Sequence, residues 1–157
     1  MALVPATLQS ALQPLNAPVP SGSITAMTIM NAFQAYALGA MNMGGGPFIA
    51  MPAFPAALSQ LQAAMSAPVP APSIFVMNLT TAIHTAWSSL QTLFQVGPVV
   101  AVPTTLQSAL EPICAVPGPA SVWIAGFTSA VSSYCMSSTA SGVIPAPTPI
   151  PFSGPIT

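Results

Sequence analysis

Charge is what this chain lacks. Its 157 residues include no Lys and no Arg, and Glu111 is the single acidic side chain. Charged residues make up 1% of the chain, where an ordinary domain carries roughly 25%. Each absence removes a class of function. With no basic side chain to neutralise phosphates, a nucleic-acid partner has no electrostatic basis. With no second carboxylate there is no acid/base pair of the glycosidase kind. With no Lys there is no Walker loop for nucleotide phosphates. A small soluble domain usually keeps a net charge of magnitude about 2–8, and this chain carries a formal −1. Such a surface suits permanent contact with neighbours or lipid better than free solution.

What is present is apolar and punctuated. Hydrophobic residues make up 53%, with 20 Pro and 10 Gly. Disorder driven by low hydrophobicity and high charge is therefore not expected. The polar side chains are nearly all Ser, Thr, Gln and Asn, which bond within tight interfaces without the desolvation cost of a buried ion. The start, MALVPATLQSALQP, has no basic region and is broken by Pro5 and Pro14. It does not read as a signal peptide, and an intracellular product that assembles in place is expected.

The chain repeats itself. Residues 4–17 read VPATLQSALQPLNA, and residues 102–115 read VPTTLQSALEPICA. At the same offset Ser23 matches Ser121, Ala32 matches Ala130 and Tyr36 matches Tyr134. A middle copy begins at Phe54, pairing Pro5 with Pro55, Leu8 with Leu58, Pro18-Val19-Pro20 with Pro68-Val69-Pro70, Ile24 with Ile74 and Met27 with Met77. The expected units are 1–50, 51–101 and 102–145 of one domain, followed by an extended Pro-rich arm over 146–157.

Every unit has the same parts. A Pro opens a short helix, which Pro14 and Pro112 would kink or end in the outer copies. A Pro-rich link follows (APVPSG, APVPAP or VPGPA). Then Ser23, Ser73 or Ser121 stands as N-cap to a longer helix, roughly 24–42, 74–95 and 122–138. Gly closes that helix, and an extended segment follows: 45–52, 96–103 and 141–147. The long helices are apolar on most faces, so they are expected to be buried. The fold class expected is mainly α: three tandem helical hairpins of about fifty residues, closed around a pseudo-threefold axis rather than stacked in a row. The tail reads as extended or polyproline-like, lying against a neighbour or its own core.

Chemistry is sparse. His84, the only His, has no carboxylate within sequence reach and reads as a helix residue with a satisfied hydrogen bond. Glu111 replaces Gln13 of the first copy, so the unit does not need the charge. Cys114 and Cys135 fall on the two helices of the third copy; free thiols are favoured over a disulfide, and with one His they make no zinc site. Gly44-Gly45-Gly46 has neither the Lys nor the order of a phosphate loop and reads as a helix stop. Asn78-Leu79-Thr80 fits a glycosylation sequon inside an apolar helix and is taken as chance. The nine Met residues read as packing rather than a soft-metal site. There is no Ser–His–acid set. No catalytic residue, metal, cofactor or small-molecule substrate is expected.

The function expected is a non-enzymatic structural component of a large assembly, a virion above all, packed against other structural proteins of that assembly. Phe48, Ile49, Val99, Val100, Ile144, Ile150 and Phe152, on the extended segments, are the candidate partner-binding residues. Ser138-Thr139-Ala140-Ser141-Gly142-Val143-Ile144-Pro145, running into Phe152-Ser153-Gly154-Pro155-Ile156-Thr157, resembles the uncharged Ala/Thr/Pro-rich ends of small structural proteins of tailed-phage virions. That resemblance implies a capsid cement, neck or baseplate plug without enzymatic activity. The alternative is a membrane-associated helical protein: the long helices approach the length of about twenty residues that spans a bilayer, but they carry Ser, Thr, Asn and Gln and no flanking basic anchors.

Overall fold

Proline sets several helix starts. Pro5, Pro72 and Pro103 stand in the first turn of α1 (Pro5–Ala11), α4 (Pro72–Ser88) and α5 (Pro103–Ala115), where a missing N–H costs no helical hydrogen bond. α2 (Gly22–Ala37) is capped by Ser21, whose Oγ accepts from Ile24 N at 3.3 Å. α3 (Phe54–Ser66) and α6 (Ala120–Met136) complete the helices. The structure, a computed structural model, describes residues 3–19, 21–66 and 71–157. The matched prolines Pro20 and Pro68-Val69-Pro70 lie outside the described residues.

The protein is mainly helical with small strands. Helices follow one another around a ring: α1 packs between α6 and α2, α3 between α2 and α4, and α5 between α4 and α6. The short helices thus wedge between the long ones. Phe33 of α2 meets Trp87 of α4 edge-on with ring centroids 6.0 Å apart. Burial recurs at fixed steps along the long helices. Ala26, Val76 and Ile124 are buried, as are Phe33, Ile83 and Val131, and Ala37, Trp87 and Cys135. On the short helices the recurring buried sets are Leu8, Ala57 and Leu106, then Leu12, Leu61 and Leu110. Each fully buried Leu contributes about 1.5–3 kcal/mol.

The three long helices end at one end of the ring, and the segments after them pair with one another. β1 (Phe48–Ala50) lies antiparallel to β2 (Gln91–Thr92). Residues 95–100 then bridge to β3 (Thr139–Ile144), with Val100 and Thr139 exchanging both main-chain bonds at 2.9 Å. β4 (Ile150–Pro155) returns along β3 in unbroken register from Thr139↔Pro155 to Ile144↔Ile150. Beyond it, Thr157 and Met41 exchange main-chain bonds of 2.8 and 2.9 Å. The segment after α2 therefore pairs with that after α4, that after α4 with β3, and the tail beyond β4 with the segment after α2.

Alternation in an antiparallel ladder decides which groups face outward. Thr139, Ser141 and Val143 of β3 turn their main-chain groups towards residues 94–100. Their partners on β4 are Pro155, Ser153 and Pro151, which face outward on the other side. Two of those three positions have no N–H to offer.

Several expectations are corrected. Ser23, Ser73 and Ser121 are not N-caps; each is the second residue of its helix, and Ser21, Ala71 and Pro119 hold the cap positions. The long helices stop early, at Ala37 and Ser88 rather than 42 and 95. Their next donors turn to nearby carbonyls in tight turns, Ala40 N to Ala37 O at 2.9 Å and Leu90 N to Trp87 O at 3.0 Å. Gly44-Gly45-Gly46 is consequently no helix stop but a turn, with Gly45 at φ 77°. Pro14 does end α1 and leaves a 3₁₀ turn over Gln13–Asn16. Pro112 does not end α5, which runs on to Ala115; it lies in the last turn, where little helix remains to disrupt. In the middle copy Pro5 corresponds to Phe54 rather than Pro55 as a helix start, and Leu8 to the buried Ala57 rather than the half-buried Leu58. Of the two readings of the tail, extended or polyproline-like, the extended one holds: Ile150–Pro155 is a β-strand, and Ile156 just beyond it is wholly buried.

Candidate functional site

The few reactive side chains do not converge. His84 Nδ1 lies 2.6 Å from Tyr134 Oη across the α4–α6 seam. Burial lowers the His84 pKa below its ordinary value, so a neutral ring shares this hydrogen bond with the phenol, its direction set by the ring tautomer. Burial, and secondarily Cys135, pushes Tyr134 well above the usual phenol range. Tyr36 enters the α2–α6 seam beside Ser132 and is raised by the same two causes in the same order. A hydrogen bond from Ser132 partly offsets the rise at Tyr36, while among the described residues the hydroxyls of Thr80 and Thr128 are buried without a hydrogen-bond partner. Glu111 is exposed and accepts from Gln107 Nε2 at 3.1 Å, so it does not pair with His84. Cys114 and Cys135 are free thiols, half-buried and wholly buried. Burial raises both, and Trp123 partly offsets the rise at Cys114. Among the described residues no group of three metal-ligating side chains comes together.

The polar order lies at the paired end. Asn42, 3% exposed, donates from Nδ2 to Thr92 Oγ1 at 2.8 Å and Leu93 O at 2.7 Å, and accepts Gly46 N at 2.8 Å. Thr92 Oγ1 donates on to Gln95 Oε1 at 2.7 Å, and Gln95 Nε2 donates to Leu90 O and Gly97 O. This chain of uncharged groups satisfies the buried polar atoms of two segments that carry little side-chain packing.

The sequence-selected residues gather at this same end. Phe48 is half-buried in β1, while Ile49 beside it is exposed. Val99 is buried and Val100 is exposed. Ile144 and Ile150 face each other at the loop end of the hairpin, the first half-buried and the second exposed. Phe152 is half-buried and covers Gly44 and Gly142, where a Cβ would strike its ring. The extended segments therefore pair with each other within the chain.

Sequence reasoning missed a second apolar surface, on the flanks of the long helices. Ile24, Ile74 and Val122 hold the same place on α2, α4 and α6, and are 39%, 46% and 64% exposed. Met27 and Met77, one turn on, are exposed too. The repeat spacing carried the signal, because a position apolar in every copy yet absent from the buried set needs another explanation. Towards the linker end, an open apolar groove of about 610 Å³ runs between Leu15, Ile29, Phe75, Ile113, Val116 and Trp123. Among the described residues no helix is long and apolar enough to cross a membrane.

No protein-family model matches this chain, and searches of curated proteins and of solved structures find no match either.

Proposed function

We propose that this chain is a non-enzymatic structural subunit held inside a larger assembly, a virion in the reading its composition and tail favour, and that it docks by uncharged apolar and Ser/Thr surfaces. The observation that carries this reading is the exposure of Ile24, Ile74 and Val122 at one position of three helices, on a chain with one carboxylate and no basic residue. Ile24 with Met27, and Ile74 with Met77, make exposed apolar pairs one turn apart on their helices, and exposed apolar patches mark interaction surfaces. In the same reading the chain is three tandem hairpin units about a pseudo-threefold axis. The ring order of the helices, the recurring buried positions and the three-way pairing of the segments after the long helices support it. Such a monomer suits a threefold or sixfold axis of a shell, where one chain meets several equivalent neighbours.

The test compares the native chain with the triple variant Ile24→Ser, Ile74→Ser, Val122→Ser, by size-exclusion chromatography with light scattering, with and without mild detergent. The native chain is expected to self-associate or precipitate alone. The variant is expected to keep its helical circular dichroism and run as a monomer. A native chain that is monodisperse and monomeric at high concentration overturns the reading. A chain soluble only in detergent, with the variant no different, moves it to a lipid surface.

A further inference from the structure

We propose that β4 is an exchangeable strand, and that the slot between β3 and Met41 accepts residues 150–157 of a second copy of this chain. The proposal goes beyond the assembly reading and does not depend on which assembly that is.

The connection between β3 and β4 carries the argument. It runs Pro145-Ala146-Pro147-Thr148-Pro149, and every residue of it is exposed. Tight two-residue hairpin loops reverse through residues that tolerate positive φ, above all Gly and Asn; this five-residue loop has neither. Pro fixes its own φ near the extended range. It also pushes the residue before it away from the helical region, which here means Ile144, Ala146 and Thr148. Ile144, Ala146 and Thr148 thus favour extended backbone, while the hairpin demands reversal. Beyond the Ile144–Ile150 pair that closes the ladder, no main-chain bond within the loop is seen among the described residues. Extended instead, it would span about 15 Å, enough to carry β4 to an adjoining copy.

The slot itself holds β4 by features that any identical strand supplies. These are the ladder to β3, the Thr157–Met41 main-chain pair, the wholly buried Ile156 and the Phe152 ring over Gly44 and Gly142. Exchange replaces each contact with its equal. The balance is then set by what the loop prefers and by the local concentration of neighbours. A loop that favours extension tips that balance towards a neighbour.

Ser141 and Ser153 stand opposite each other in the register, at a pair whose side chains approach closely. Two full-length chains, both with Cys114→Ala and Cys135→Ala, would carry Ser141→Cys and Ser153→Cys respectively. They are mixed at equal concentration under mild oxidation, and a control mixture replaces the second with Thr148→Cys. Cross-linked heterodimer is expected to exceed the control about tenfold. Adding Ile156→Asp to the Ser153→Cys chain is expected to return the yield to control level. Placing Asn at 146 and Gly at 147 (Ala146→Asn, Pro147→Gly), a turn-forming pair, is expected to lower it. Equal yields in the matched and control mixtures would overturn the proposal, as would a yield indifferent to Ile156→Asp. If either serine variant loses its helical spectrum, Val143→Cys with Pro151→Cys, also opposite in register, gives the same readout.

Discussion

Trp87 of α4 donates its indole N–H to Ser138 Oγ at 2.8 Å, and Ser138 Oγ donates in turn to the Tyr134 carbonyl at 2.9 Å. Both side chains are completely buried. The bond ties the largest core side chain to the residue at which α6 gives way to β3, so helix packing and strand pairing share one joint.

Trp87→Phe keeps most of the aromatic area and removes the donor. It is expected to cost about 1–3 kcal/mol, from the lost bond and the small cavity left. The urea midpoint read by circular dichroism checks it. Ser138→Ala removes the same bond, and the double variant is expected to lose less than the sum of the two single changes.

Two neighbouring glycines differ in what they require. Gly45 has φ 77° and nothing within 4 Å of a Cβ, so Gly45→Ala costs only its backbone preference, about 1 kcal/mol. Gly46→Ala would drive its Cβ onto the Leu93 carbonyl and the Asn42 amide. It is expected to lose several times as much, and to expose the Asn42–Thr92 network to amide hydrogen exchange.

His84, the one histidine of the chain, gives this protein its pH dependence near neutrality. Its folded pKa lies below the unfolded value of 6.5. The unfolded chain therefore binds the proton more readily. The resulting stability is complete above 6.5 and is lost as pH falls through the folded value. Thermal midpoints of the native chain are expected to fall on acidification from about pH 7.5 to about pH 5.5. Those of His84→Gln are expected to move less.

The thiols separate by burial. Cys114 is half-buried at the edge of the apolar groove, and Cys135 is wholly buried. With both pKa values raised, neither is a reactive thiolate at neutral pH. Alkylation is expected to reach Cys114 slowly in the native state and Cys135 only on unfolding, as mass spectrometry after timed quenching would read.

Much of the helical pattern was legible because Pro and Leu write it locally. Pro5 and Pro103 mark helix starts, and the spacing of Leu8 and Leu12 marks the buried face. The helix ends were not legible. At Ala37 and Ser88 no Gly or Pro stands at the next position; the helices stop because later residues are needed in pairing with distant segments of the same chain, which local propensity does not contain. The middle copy also misled by one residue, since Pro55 matches Pro5 in type while Phe54 matches it in place. At the paired end, Asn42 looked like any loop Asn, because its partners Thr92 and Leu93 lie fifty positions away. The exposed Ile24, Ile74 and Val122 were read as interior, because an apolar stripe does not say which apolar residues the chain leaves for others.

The outward edge of β4 has a consequence for aggregation. An open strand edge recruits further strands unless something blocks it, and most proteins block it with Lys or another charge. This chain has no basic residue to place there. Pro151 and Pro155 fill the outward positions on either side of Ser153, and a strand arriving at that edge finds one donor where it needs three. Proline serves here as the gatekeeper against fibril growth that charge supplies elsewhere.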